Sequence, residues 1–257
     1  MTGRLLLLLL VAVLGGCAST GGARSTQYQK PDIVPIRQAA EPNALLGIEY
    51  MKAGQVNQAM DHLQRALVHD PDLPLAHNAI AVLYEQLGEH DRAEAHFRRV
   101  VALAPKDSDA WNNYGRFLCA RERYPEATDA FTHALDNPLY RTPENSFTNL
   151  GHCALRNGEK GLAEHYFRQA LGKKPDFPPA LMQMARLSWE EGNALQARAY
   201  LQRLLARIRP TPEVLWLGVQ VERQLGNRSA ADSYALQLRE RFPTSPETRL
   251  LLASEKQ

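Results

Sequence analysis

Small and large apolar residues recur at helical spacing through most of this chain, separated by polar stretches. Leu46, Gly47 and Tyr50 form one such set, and Ile80, Ala81 and Tyr84 another. Residues three and four apart share a face of an α-helix, so each set predicts an amphipathic helix. A second kind of set follows, as in Ala93, Phe97 and Val100, or Ala163, Phe167 and Ala170. In each, the small residue lets two helices approach and the large one fills the space beside it. Punctuation between the sets is periodic. Glycine stands at Gly54, Gly88, Gly158, Gly192 and Gly226, with Glu122 on the one remaining rung. Ala59, Ala93, Ala127, Ala163, Ala197 and Ala231 keep register with it. Pro71, Pro105, Pro175 and Pro243 close most units, while Pro138 and Pro210 are one residue out of phase. The step is 34 residues, apart from one of 36 across the third unit.

A 34-residue helix-turn-helix period with small residues at the helix crossing resembles the tetratricopeptide repeat. Glycine at the turn permits the left-handed backbone that ends the first helix, and proline marks the way to the next unit. No unit can bury its own apolar face, so stacking is obligatory. The expected fold is therefore all-α, a right-handed superhelical solenoid of six tetratricopeptide repeats with a concave groove. The six units fall at 40–73, 74–107, 108–143, 144–177, 178–211 and 212–245. Residues 246–257, with Leu250, Leu251 and Leu252 ahead of a polar end, predict a short C-terminal capping helix.

The head of the chain has a different character. Arg4 precedes an apolar run from Leu5 to Leu14, about half of what a membrane-spanning helix needs. That pattern reads as a signal peptide over residues 1–16. Its end, Leu14-Gly15-Gly16-Cys17, resembles the bacterial lipobox, which implies lipidation of Cys17; the alternative is an ordinary secretory signal with an incidental cysteine. Acyl chains contribute about 0.8 kcal/mol per buried methylene, so a multiply acylated Cys17 would hold the chain on a membrane. Ala18 stands where a retention aspartate would be, and the resemblance then implies the outer membrane, with the body lipid-anchored on its periplasmic face. Residues 17–39, rich in Gly, Ser, Thr, Gln and Pro, read as the lipidated cysteine and a flexible tether.

Composition removes several functions. Across 257 residues, 30 Lys+Arg oppose 28 Asp+Glu, which gives no reason to expect nucleic acid. The eight histidines form neither an HExxH pair nor a Cys/His cluster at ligand spacing, so neither a metal nor a cofactor is expected. The glycines recur at the repeat period and carry no phosphate-loop pattern. The chain reads as a binding protein, not an enzyme, with no small-molecule substrate. Cys119 and Cys153 lie on first helices of adjacent units, at repeat positions twelve and ten. That offset predicts side chains pointing apart and two buried or groove-lining thiols; the alternative is a disulfide, which an oxidising compartment would allow.

Recognition in such solenoids uses the groove, here positions two, five, nine and twelve of each first helix. These give an apolar opening section of Ala44, Ile48, Met51, Leu75, Asn78 and Val82. The middle turns polar and basic with Asn112, Arg116, His152 and Arg156. A second patch holds Met182, Arg186, Trp189 and Trp216, with Arg223 beyond it. An exposed apolar strip inside a concave face marks a site for a peptide or partner helix. The competing reading makes these residues part of the core.

Several stretches carry a narrower resemblance. The third unit reads Trp111-Asn112-Asn113-Tyr114-Gly115-Arg116-Phe117-Leu118, then Arg123-Tyr124-Pro125-Glu126-Ala127. The long link contributes Pro138-Leu139-Tyr140, leading to Asn149-Leu150-Gly151. Near the end come Leu217-Gly218, the run from Ala231 to Leu238, and Phe242-Pro243. These are similar to the PilF/PilW family of type IV pilus biogenesis lipoproteins. The resemblance implies a pilotin: a partner of the pilus secretin that promotes its outer-membrane localisation and multimerisation, and so twitching motility. It implies docking of a secretin segment against Ile48, Met51, Leu75 and Val82. The alternative is a repeat lipoprotein that scaffolds other cell-envelope assembly complexes.

Overall fold

The apolar sets fold as helices that pair in chain order. A computed structural model describes residues 36–255. The signal peptide, Cys17 and the tether as far as residue 35 lie outside the described residues. A 3-10 turn at Ile36–Ala39, in place of the tether's last residues, leads into the first pair, α1 (Ala40–Lys52) and α2 (Val56–His69). Next come α3 (Pro74–Gln86) with α4 (His90–Leu103), and α5 (Ser108–Ala120) with α6 (Tyr124–Leu135). The second half has α7 (Pro143–Arg156) with α8 (Lys160–Lys173), α9 (Pro178–Glu190) with α10 (Ala194–Leu205), and α11 (Pro212–Gln224) with α12 (Arg228–Arg241). A last helix, α13 (Pro246–Ser254), packs on α11 and α12. No strand occurs among the described residues, and the architecture is the tetratricopeptide solenoid expected from the period.

Within a unit the two helices meet at a small residue. All six alanines of the ladder, from Ala59 to Ala231, are buried. Opposite them, Gly47, Ala81, Gly115, Gly151 and Ala185 sit on first helices, sixteen residues ahead of Leu63, Phe97, Phe131, Phe167 and Leu201. Each of those five large side chains is buried in the core. The sixth unit exchanges the sizes at this crossing. Val219 takes the small residue's place and Ala235 the large one's, both buried, while one residue earlier Gly218 makes room for the Tyr234 ring.

The turns explain the glycine ladder and its gap. Gly54, Gly88, Gly158, Gly192 and Gly226 have φ between 70° and 81°, and Glu122 adopts φ 61° on the sixth rung. Left-handed backbone costs an L-residue about 1–2 kcal/mol, so packing of the third unit holds Glu122 there against its preference. Five of the helices, α5 and α10 to α13, are capped at their starts by side chains. Asp107 Oδ1 accepts from the Asp109 and Ala110 amides at the head of α5, and Ser245 Oγ accepts from the Thr248 amide at α13.

The ends and the long link depart from the pattern. With no helix pair ahead of it among the described residues, α1 leaves Leu45 and Leu46 51% and 42% exposed, although Leu46 has the apolar position that is buried further along. In α13 only Leu251 turns inward; Thr248 anchors the helix by donating its hydroxyl to the Phe242 carbonyl at 2.7 Å, and Leu250 and Leu252 stay exposed. The extra residues after α6 fold Tyr140 back until its hydroxyl lies 3.2 Å from Ser146 Oγ on α7. Burial then pushes the Tyr140 phenol above its ordinary range.

Candidate functional site

The first helices α1, α3, α5, α7, α9 and α11 stand side by side and supply the groove. At its opening, Ile48, Met51 and Leu75 are half-buried and pack on the cluster built around Leu63 and Ile80. Val82 is half-buried against the next cluster, around Phe97. Each therefore presents an edge to the groove and a face to the core. Ala44 is a correction. It is fully buried, because a methyl on α1 facing Leu63 and Ala59 ends below the level at which longer groove residues emerge.

The middle of the groove carries hydrogen bonds where basic charge was expected. Asn78 accepts at Oδ1 from Asn113 Nδ2 at 3.2 Å. Asn112, 9% exposed, accepts at Oδ1 from Ser146 Oγ at 2.9 Å and from Asn149 Nδ2 at 3.0 Å. Arg116 is exposed, but its guanidinium donates to both carboxylate oxygens of Glu85, at 3.2 and 2.7 Å. Arg156 reaches the Ala120 carbonyl at 3.4 Å. Half-buried His152 lies edge-on to the Phe167 ring, and burial, followed by the Arg186 charge, lowers its pKa. A neutral imidazole results.

The second patch comes together in space. Met182, Arg186, Trp189 and Trp216 line one cleft of about 190 Å³, with Glu213 and Gln220 completing its polar edge. Arg186 is ion-paired with Glu213, and Glu190, which also lines the cleft, is paired with Lys160 at 2.7 Å, so the charges on its rim are balanced around an apolar floor. Arg223 lies past it, donating to Ser254 Oγ of the last helix at 2.8 Å. Cys17, the lipidation site expected from the sequence, falls outside the described residues.

The two-thiol expectation for Cys119 and Cys153 is overturned: they form a disulfide, with Cα atoms 5.7 Å apart. The cause is a stagger between neighbouring first helices. Position twelve of one faces position nine or ten of the next, as Glu85 faces Arg116 and as Trp189 shares a cleft with Gln220. An offset of two in repeat position therefore brings the cysteines together.

The sequence reading also missed Asn113, Asn149 and the acidic partners Glu85 and Glu213. The two asparagines follow the counted groove positions by one residue. Glu85 and Glu213 occupy groove positions twelve and two, where pairing each against its neighbour's arginine would have found them. Among the described residues no group of three His, Cys, Asp or Glu side chains could hold a metal ion.

Comparison with known proteins narrows the architecture to a family. The tetratricopeptide-repeat profile matches residues 50–116 and 154–217. Type IV pilus assembly protein PilF of Pseudomonas aeruginosa is 31% identical over 248 residues, which cover 96% of this chain and 97% of that protein. The crystal structure of PilW, a widely conserved type IV pilus biogenesis factor, aligns with a TM-score of 0.75 at 34% identity, over 84% of this chain and 99% of PilW. The structure of Pseudomonas aeruginosa PilF aligns equally well, at 0.75 and 30% identity, over 85% of this chain and 99% of PilF. With its units in the same order from end to end, the chain belongs to the PilF/PilW family of tetratricopeptide-repeat proteins of type IV pilus assembly.

Proposed function

We propose that this protein is the pilotin of a type IV pilus secretin. In this reading Cys17 carries the acyl chains that hold it on the periplasmic face of the outer membrane. The solenoid binds secretin subunits and promotes their assembly into the ring through which the pilus emerges. The observation that carries the reading is the similarity to PilF along essentially the whole of both chains, in place of the few repeats that unrelated solenoids share. The groove supports it physically. Ile48, Met51, Leu75 and Val82 form a half-buried apolar strip on the first two units, next to the end of the chain that leads to Cys17.

The test is co-purification. The full-length protein, tagged at its C-terminus and extracted from cells in mild detergent, is expected to bring down the secretin as its main partner, from the outer-membrane fraction. Recovery of another envelope complex without secretin would transfer the role to scaffolding of that complex.

A further inference from the structure

The loops that join one unit to the next gather at one margin of the solenoid, where second helices end and first helices begin. Side-chain contacts fasten them to each other. In the third link, residues 136–142, Asn137 donates from Nδ2 to the Lys106 carbonyl of the second link at 3.0 Å. In the fourth, residues 174–177, Lys174 Nζ lies 3.6 Å from Glu144 at the head of α7. Arg203, near the end of α10, donates to the Pro175 carbonyl, and Arg207 of the fifth link, residues 206–211, pairs with Asp176 at 2.8 Å. The third to fifth links thus form one strip, about 20 Å long at the usual 8–10 Å between neighbouring helices.

The strip is basic, although the chain as a whole is balanced. Along it stand Arg141, Lys173, Lys174, Arg203, Arg207 and Arg209, against Asp136, Glu144 and Asp176. Of these acids, Glu144 is buried and Asp176 is taken by Arg207. Arg203 is held by a carbonyl, which leaves its charge uncompensated. Arg141, Lys173 and Arg209 are exposed and form no ion pair among the described residues. Helix spacing is about one Debye length at physiological salt, so these cations act together. The opposite margin lacks the excess: its turns carry Arg121 and Arg156 against Glu122, Glu159 and Glu191, while Arg123 and Lys160 are paired with Glu126 and Glu190.

Two further features belong to the strip. Leu139, in the lengthened third link, is 83% exposed, more than any other large apolar residue among those described. Phe177 and Tyr200 are half-buried beside cations, with Lys174 Nζ 5.3 Å and the Arg203 guanidinium 5.6 Å from their ring centres. Cations beside aromatic rings and one bare leucine suit the boundary of a bilayer, where charged headgroups cover apolar chains. A single phosphate would need a pocket of converging donors, which a strip of loops does not provide. A polyanion in solution would meet the charge but give Leu139 nothing to enter.

We propose that this margin is a membrane-docking surface: Arg141, Lys173, Lys174, Arg203 and Arg209 lie against anionic lipid headgroups, and Leu139 enters the layer. It gives the protein a second membrane contact, one that decides which side of the solenoid faces the bilayer. It rests on the anchored role proposed above only for the protein's presence at a membrane.

Full-length protein carrying Leu139→Cys, labelled there with a fluorophore, is reconstituted into nanodiscs of phosphatidylcholine, alone or mixed with phosphatidylglycerol, each containing a lipid-borne quencher. A second labelled protein, Glu191→Cys, reports on the opposite margin. Quenching at 139 is expected in the anionic discs, weaker in neutral discs and at high salt, with none at 191. Lys173→Gln with Arg209→Gln should lower the docked-to-free ratio by about 25-fold, or about fivefold per cation, at unchanged helical content. Retention on neutral discs reads the anchor separately. Protein that elutes free of neutral discs, yet is held and quenched on anionic ones, would uphold the proposal and remove the anchor. Equal quenching in the two lipids, equal quenching of the two labels, or none at 139 in anionic discs overturns it. So does capture of soluble poly-glutamate without quenching, which would give the strip to an acidic protein partner.

Discussion

A β-carbon on Gly151 would stand 2.5 Å from Cε1 of Phe167, closer than carbon atoms approach each other. The fourth helix pair therefore closes only because residue 151 has no side chain. Phe167 is fully buried and cannot move aside without opening the core. Gly151→Ala is expected to destabilise the fold by about 1–3 kcal/mol, the usual cost of overpacking. Chemical denaturation would show it, and Gly151→Ala with Phe167→Leu should recover part of the loss. An unchanged midpoint in the single variant would mean that the crossing is looser than its geometry.

Glu122 makes the opposite prediction. Its φ of 61° imposes a cost that glycine on the other five rungs avoids. Glu122→Gly should stabilise the protein by about 0.5–1 kcal/mol, the relief of strain being partly offset by the greater freedom of glycine in the unfolded chain. Gly158→Ala, at φ 80°, should destabilise by a similar amount. Equal melting temperatures for wild type and both variants would contradict this account of the ladder.

The Cys119–Cys153 bridge ties the third unit to the fourth across a sequence separation of 34. Closing a loop of that size in the unfolded chain is worth about 3–4 kcal/mol in the chain-entropy model. Cys119→Ala with Cys153→Ala should lower the unfolding midpoint accordingly, and adding a reductant should lower that of the wild type but not of the double variant. Identical unfolding curves with and without reductant would show the bridge to be energetically idle.

A histidine pair gives the fold a pH dependence of definite sign. His77 Nδ1 lies 2.9 Å from His96 Nδ1, and His77 Nε2 lies 2.9 Å from the Pro71 carbonyl. A neutral pair satisfies both contacts, with His77 donating from Nε2 to Pro71 and accepting at Nδ1 from His96. Tyr84 from α3 packs on the His96 ring and itself carries the Arg92 guanidinium over its ring, so a positive charge on His96 would meet no carboxylate among these contacts. Burial, and then the His77 charge, lower the His96 pKa. The unfolded state therefore binds more protons near the ordinary histidine range. The contribution is fully present above about pH 6.5 and is lost as pH falls through the folded value. The unfolding midpoint should fall between pH 7.5 and pH 5, and His96→Gln should flatten that slope. A slope unaffected by the substitution would assign it to other groups.

The solenoid could be read from the sequence because its information is local and repeated. Ala93 and Phe97 lie one turn apart, and five copies of that device, with a sixth unit of the same period, leave a single way to stack. What could not be read depends on how neighbouring units are placed. The cysteines were judged by repeat position as though first helices ran level, and the stagger between them reverses that result. Arg116 and Arg186 looked like free charge because Glu85 and Glu213 lie about thirty residues away in the chain, and only the packing of one unit on the next pairs them. Ala44 was placed in the groove by its position alone. The length of its side chain, not its register, decides that it is core.

In the proposed role, recognition and address fall on different parts of the chain. Ile48 and Val82 each show one edge to the groove while packing on the core, so arginine at both places charge across the apolar strip; long side chains at half-buried sites can direct that charge outward and leave the fold intact. Ile48→Arg with Val82→Arg is expected to keep the protein at the membrane, lower secretin recovery in co-purification by at least tenfold, and reduce secretin multimers and twitching motility. Cys17→Ala should do the reverse: the released protein stays folded and binds secretin in extracts, while secretin multimers no longer collect in the outer membrane. The two variants thus separate recognition from address. Normal multimers in the double-arginine variant would move the docking surface away from the first two units, and normal multimers in Cys17→Ala would remove the escort role while leaving the groove's binding to be judged by the co-purification itself.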